Sequence, residues 1–218
     1  MDIYLIRHTE VAVGRSIAYG QTDVDLADTY PEQRDRLQTH LPNDVSAIFS
    51  SPLTRCRRLA NDLATRLSGG SQIETAPGQT ALVDAHPHIV QFDDRLKEFA
   101  FGDWEMIPWA CIEHAALDHW MADFVNVSTP NGENFSAVFN RVGAFWREQI
   151  LPLCNMPDSH PVLVVAHGGV IRALLCLFLD LSLQNAYRLN LDYGAVTKLT
   201  VNRSDQFGIT YTIQYINR

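Results

Sequence analysis

The sequence predicts an α/β fold with a mostly parallel central sheet, a helical insert over one end of that sheet and a C-terminal antiparallel hairpin. Three observations carry this. Short β-prone runs at 3–6, 47–50 and 162–166 stop abruptly at polar or glycine residues. Helix patterns begin directly after the second and third of them. Near the end of the chain, apolar and polar residues alternate with the period of a strand.

In chain order, "IYLI" (3–6) runs straight into Arg7, His8, Thr9 and Glu10. "AIFS" (47–50) leads into "SPLTRCRRLANDLATRLSGG", where Ser51 is placed to cap a helix and Pro52 suits its first position. Leu59, Ala60, Leu63 and Leu67 share one face of that helix, and Gly69 and Gly70 end it. Between about 84 and 135 the periodicity weakens while histidine, proline, tryptophan and acidic residues accumulate, which marks the insert. Its helix is predicted in "WACIEHAALDHWMADFV", with Ile112, Ala116, Trp120 and Phe124 four apart as packing residues. "PNGENF" (130–135) then reads as a turn opening a helix through "AVFNRVGAFW". "VLVVA" (162–166) is continuous enough to be buried on both faces, and "HGG" joins it to a helix in "VIRALLCLFLDL". Finally "VTKLTV" and "ITYTIQYI" flank "NRSDQFG", and Ile209, Tyr211, Ile213 and Tyr215 alternate against polar neighbours, as in a hairpin.

Composition bounds the function. A chain of 218 residues, 46% hydrophobic and 19% charged, fits one domain over 1–218 with the insert inside it. A net charge of −8 excludes a general nucleic-acid binder, so any anion must be held by a local cluster of cations. Cys56, Cys111, Cys154 and Cys176 are widely spread, without a C-x-x-C pair, and read as buried thiols rather than a zinc site or a disulfide framework. His86 and His88 in "HPH" have no third ligand nearby and read as solvent-exposed, so no metal is expected. No leader-like or membrane-spanning run occurs, and a soluble cytoplasmic protein is the expectation.

In open α/β sheets, ligands collect beyond the carboxyl ends of the parallel strands. If the three strands are parallel neighbours, Arg7 and His8, Ser51 and Arg55, and His167 with Gly168 and Gly169 converge there. Guanidinium forks bind tetrahedral oxyanions and stabilise a transferring phosphoryl group, so Arg7 and Arg55 read as phosphate clamps. An imidazole beside two fixed cations stays neutral and can attack phosphorus. His8 reads as that nucleophile and His167 as a hydrogen-bonding partner of the phosphoryl oxygens, with Gly168 allowing close backbone approach. An alkoxide leaving group needs a proton donor, which can afterwards activate water. Glu10, Asp23, Asp94, Glu98, Glu105 and Glu133 are all candidates; Phe99 and Phe101 would give Glu98 apolar company that keeps it protonated. Arg57 and Arg58 read as a solvated face, Trp104, Trp109 and Trp120 as packing in preference to stacking on a base-like ligand, and Glu133 stays unassigned.

"LIRHTE", "SSPLTRC", "LKEFAFGDWE" and "VAHGGVIRALL" occur in the order and at roughly the separations found in the histidine phosphatase superfamily, the phosphoglycerate-mutase-like proteins, which nearly the whole chain resembles. Within it the chain is most similar to α-ribazole phosphatases, through "RHTEV" followed by "YGQTDVDL". The resemblance implies a three-layer α/β/α arrangement, a phosphorylated His8, a phosphate pocket of Arg7, Arg55 and His167, and Glu98 as proton donor. It further implies that Gly20, Gln21 and Gly168 line the substrate side, and that no metal or organic cofactor is used. Relatives often carry asparagine where this chain has Gly14, and glycine where it has Met106. Phe99, Ala100 and Phe101 stand where a mutase has basic residues, which favours a phosphatase acting on a substrate with a bulky aromatic or sugar portion.

The function so implied is hydrolysis of a small phosphate ester through a phosphohistidine, with α-ribazole 5′-phosphate of cobalamin biosynthesis as leading substrate. Alternatives are a broad-specificity sugar-phosphate phosphatase, a phosphoglycerate mutase, or, in another class, a phosphate-sensing scaffold without turnover. The expected partner is the small-molecule substrate, not nucleic acid or membrane. Monomer and homodimer are both open.

Overall fold

In a computed structural model, residues 1–68, 72–76, 79–82, 89–156, 160–204, 206 and 208–218 are described. Strands run over Asp2–Arg7 (β1), Ala47–Ser50 (β2), Gln72–Ala76 (β3), Gln79–Leu82 (β4), Val90–Phe92 (β5), Val162–Ala166 (β6), Val196–Ser204 (β7) and Gly208–Tyr215 (β8). Helices run over Tyr30–Gln38 (α1), Thr54–Ser68 (α2), His114–Ala122 (α3), Phe135–Phe145 (α4) and Gly168–Phe178 (α5). The main sheet has the order β5-β2-β6-β1-β7-β8. Its first four strands are parallel, while β7 and β8 add on antiparallel beside β1. The terminal hairpin therefore extends the central sheet, and β3 and β4 form a separate antiparallel pair.

Alternation along the strands sorts the core onto two faces. Ile3 and Leu5 of β1, with Val162 and Val164 of β6, pack on the side of α4 and α5. Tyr4 and Ile6, with Leu163 and Val165, pack on the side of α1 and α2, against Leu59, Ala60 and Leu63. Fully burying such a branched side chain contributes about 1.5–3 kcal/mol, and β6 is buried at all five positions because helices cover both of its faces.

Several boundaries differ from those the sequence suggests. The helix after β2 begins at Thr54 rather than at Pro52. Ser51 Oγ accepts from the Leu53 N–H, while Asp23, distant in sequence, accepts from the Thr54 N–H (2.8 Å) and hydroxyl (2.6 Å). A long-range cap has replaced the local one. The insert helix is also shorter than predicted: Glu113 caps it by accepting from the N–H groups of Ala115 and Ala116, and Trp109–Cys111 forms a separate tight turn. Ile112 and Trp120 are nonetheless buried, with Ala116 and Phe124 packed against the same core. Of the cysteines, Cys56 and Cys176 are buried, but Cys154 is half-buried and Cys111 exposed. Gly69, Gly70, His86 and His88 lie outside the described residues. Among the described residues no helix is long and apolar enough to cross a membrane, and no group of acidic, histidine and cysteine side chains is arranged to hold a metal ion.

Candidate active site

The sheet register brings the two histidines together. Arg7 pairs with Ala166 across β1 and β6, and the His8 N–H donates to the Ala166 carbonyl, so His8 and His167 leave adjacent strand ends side by side. Their ring centroids are 5.1 Å apart at 62°. On the other flank of β6, the Ser51 N–H donates to the Val165 carbonyl. This brings Arg55, the second residue of α2, against His167, and its Nε donates to His167 Nδ1 (3.3 Å).

These bonds set the tautomers. His8 Nδ1 donates to the Thr9 carbonyl (2.7 Å), leaving the Nε2 lone pair free. His167 Nδ1 accepts from Arg55, so its Nε2 carries the proton and donates to Ser51 Oγ (2.8 Å). Both imidazoles are almost wholly buried, and burial, then the charges of Arg55 and Arg7, hold the His8 pKa well below 6.5. For His167 the causes are burial, then the charges of Arg55, His8, Arg141 and Arg7. Two neutral rings therefore share one cationic setting.

The arginines are held differently. Arg55 is fully buried and also donates to the carbonyls of Thr22 (3.1 Å) and Gly20 (2.5 Å). Arg7 lies 4.0 Å over the Tyr193 ring and donates through Nη1 to the Leu191 carbonyl, while its buried Nε has no partner among the described residues. Tyr193 also packs on His8 (5.5 Å) and shares a 2.6 Å hydrogen bond with Tyr19, whose pKa burial and that bond push above its ordinary value.

Of the six candidate carboxyls, only Glu98 lines the cavity of about 300 Å³ in front of His8, together with Arg7, Arg15, Tyr19, Trp109, Arg172 and Tyr193. Its Oε1 accepts from the Phe99 N–H (2.9 Å) and its Oε2 from the Gly169 N–H (3.2 Å) at the start of α5. Phe99 turns its ring into the core and offers Glu98 its backbone instead. A Cβ on Gly169 would sit 2.5 Å from Glu98 Oε1, so glycine is required for this approach.

The other carboxyls have structural partners. Asp23 caps α2, Asp94 pairs with Lys97, and Glu10 accepts from Thr29 and Gln33. Glu105 accepts from the N–H groups of Gly20, Gln21, Thr22 and Phe101; burial alone would raise its pKa, but these bonds hold it below the ordinary value. Glu133 accepts from Ala100 N–H and pairs with Arg141 (2.9 Å).

Gly20 and Gln21 back this loop rather than the open space: Gly20 has no room for a Cβ, which would lie 1.8 Å from the Phe99 carbonyl, and Gln21 Nε2 donates to the Glu98 carbonyl. Gly168 lies against Arg7 and Arg172. Arg57 and Arg58 are exposed, as expected.

Sequence reasoning missed Arg141, Arg172 and Tyr193. Arg141 Nη1 donates to the carbonyls of Arg95 and Lys97 and Nη2 to that of Glu98, fastening the segment that carries Glu98. Its signal was a lone arginine inside the apolar helix "AVFNRVGAFW". Arg172 had a similar signal, one turn beyond Gly168 in "VIRALL", whereas Tyr193 had none.

The assembled groups can bind a tetrahedral dianion, present a neutral imidazole nitrogen to phosphorus and offer a carboxyl at the leaving-group side. The chain is 26% identical over 223 residues to "Putative phosphoserine phosphatase 2" of Hydrogenobacter thermophilus, covering 99% of this chain and 95% of that protein. It shares its fold with the vanadate complex of mycobacterial glucosyl-3-phosphoglycerate phosphatase (TM-score 0.76, 24% identity, 99% and 98% of the two chains). The α-ribazole phosphatase of Shigella flexneri is likewise similar (TM-score 0.73, 24% identity, 100% and 96%). A family model for the histidine phosphatase superfamily, branch 1, matches residues 3–78 and 78–212. With that match spanning almost the entire sequence and phosphatases among its relatives, the chain belongs to the histidine phosphatase superfamily.

Proposed function

We propose that the protein is a phosphomonoesterase that works through a phosphohistidine at His8. The observation that carries this reading is the free Nε2 of a neutral, buried His8 facing the same cavity as the Glu98 carboxyl. In the first step Nε2 attacks phosphorus in line, the P–O bond to the alcohol breaks, and protonated Glu98 gives its proton to the departing oxygen. The Arg7 guanidinium, which lines the cavity and whose buried Nε has no partner among the described residues, holds a phosphoryl oxygen, while Arg55 and His167 each exchange one internal bond for the phosphoryl group. In the second step Glu98, now ionised, takes a proton from water as that water attacks the phosphohistidine, releasing orthophosphate and restoring His8.

The substrate is a small phosphate ester, and α-ribazole 5′-phosphate is the leading candidate. "RHTEV" with "YGQTDVDL" supports it, as does the apolar sequence around Glu98 where a mutase is basic. The test is turnover of a panel of phosphorylated metabolites in EDTA, ranked by kcat/KM, with acid-quenched and base-quenched trapping of labelled enzyme. An acid-labile, base-stable label that disappears in His8→Ala is expected. Wild-type protein that binds phosphate but turns over no ester would establish the scaffold reading instead.

A further inference from the structure

A second cavity, of about 570 Å³, adjoins the catalytic one and is lined by Phe101, Trp109, Leu117, Trp120, Phe124 and Tyr187, with no charged side chain among the described residues of its wall. We infer that this aromatic compartment is the subsite for the alcohol portion of the substrate, and that this portion carries a planar aromatic or fused heteroaromatic ring. The inference rests on the phosphatase reading and deepens it.

The two cavities are neighbours that share a wall. Trp109 forms part of both walls. Arg172, which lines the catalytic side, holds its guanidinium 5.1 Å over the ring of Tyr187, which lines the compartment. An ester whose phosphate sits at His8 thus has the compartment beside its leaving group.

The wall also selects its occupant. Its rings brace one another: Phe101 meets Trp109 edge-on at 5.2 Å, Trp109 lies nearly parallel to Trp120 at 6.3 Å, and Trp120 contacts Phe124 at 6.3 Å. The space is therefore preformed rather than awaiting collapse. A polyhydroxylated or carboxylated alcohol would give up hydration there without replacement hydrogen bonds, whereas a flat ring gains burial and edge-to-face contact. Tyr187 and Met121, 49% and 61% exposed, stand at the surface of this compartment, so a ring can enter from solvent.

The test compares 3-(2-naphthyl)propyl phosphate with propyl phosphate, which share an ordinary primary alkoxide as leaving group. The expected kcat/KM for the naphthyl ester is at least about tenfold higher, and Met121→Glu should bring the ratio toward one. The two corresponding phosphonates, titrated by calorimetry, should show the same preference in Kd without turnover. Equal kcat/KM and equal phosphonate Kd, with phosphoenzyme formed from both esters, would overturn the compartment and leave the phosphatase reading intact. If, in addition, a concentration-dependent dimer dissolved in Met121→Glu, the patch would belong to a second copy of the chain. Tighter binding of the naphthyl phosphonate with no turnover of either ester would uphold the compartment and overturn the phosphatase reading.

Discussion

Two of the structures that meet around the cavity in front of His8 differ in kind. On one side stand the carboxyl ends of β1, β2 and β6, strands whose backbone groups pair with one another and whose side chains are buried on both faces. On the other stands the stretch from 94 to 134, built of the single turns Asp94–Leu96, Gly102–Trp104 and Trp109–Cys111 and the nine-residue α3. The first region is fixed by ladder hydrogen bonds, which any sequence of the right pattern makes. The second is fixed by particular side chains reaching backbone, chiefly Glu105 on four N–H groups and Arg141 on three carbonyls. A site assembled this way keeps its strand side rigid while leaving its insert side open to change by substitution.

The largest expected effect tests the strand side. His8→Ala should lower turnover by roughly 10⁴-fold or more and abolish the labelled intermediate; label retained in this variant would move the nucleophile elsewhere. Next comes the group at which the two sides meet. Glu98→Gln should cost on the order of 10³-fold with alkyl esters and far less with nitrophenyl phosphate, whose leaving group needs little protonation. Equal losses for both would remove Glu98 from proton transfer.

Arg141→Ala then asks whether the insert side depends on its clamp. The carbonyls of Arg95, Lys97 and Glu98 and the Glu133 carboxylate each lose a donor, so a stability loss of about 2–4 kcal/mol is expected in denaturant titration. The activity loss should be larger with alkyl than with nitrophenyl esters, because the displaced group is Glu98, the proposed acid; Arg141→Lys should restore stability better than this discrimination. A uniform loss would make Arg141 structural only.

The pH dependence of stability is smaller and belongs to the strand side. Folding holds His8 and His167 neutral, with pKa values well below 6.5, whereas the unfolded chain regains the ordinary value and binds protons first as the pH falls. Stability from this source is whole above pH 6.5 and declines below it, by up to about 1.4 kcal/mol per pH unit for each histidine, until the folded pKa values are reached. Denaturation midpoints between pH 7.5 and about 5 in wild type and His8→Asn should differ in slope; equal slopes would mean that His8 is not held neutral.

Smallest is Met106, which adopts φ 63° and so occupies the left-handed conformation that glycine takes readily. Met106→Gly should stabilise by up to about 1 kcal/mol, and a loss instead would show that the side chain, 44% exposed, packs more usefully than its surface suggests.

The same division explains what the sequence could reveal. β6 and its "HGG" turn, the Leu59–Ala60–Leu63 face and the terminal hairpin were legible because each follows from local periodicity. His8, Arg7, Arg55 and His167 were legible as a convergence because they sit at fixed offsets from strand ends. The beginning of α2 was misread because its cap comes from Asp23, 31 residues earlier. α1 was not foreseen at all, since "YPEQRDRLQ" buries only Tyr30 and Leu37 and has no apolar stripe to read. Glu98 could be chosen by chemistry but not separated from Glu105 or Glu133, because what distinguishes them is which backbone groups each meets, and those groups lie up to 85 residues away in the chain.

The position of β1 between β6 and β7 has a further consequence for how the protein becomes functional. The strand bearing His8 is made early on the ribosome, yet both of its neighbours are made more than 150 residues later. Until they emerge, β1 has exposed edges on both sides and no route to its final place, so contacts of such high sequence separation delay assembly. Hydrolytic competence should therefore appear all at once and late in biogenesis, making recovery of turnover after dilution from denaturant a direct clock for the closing of the sheet.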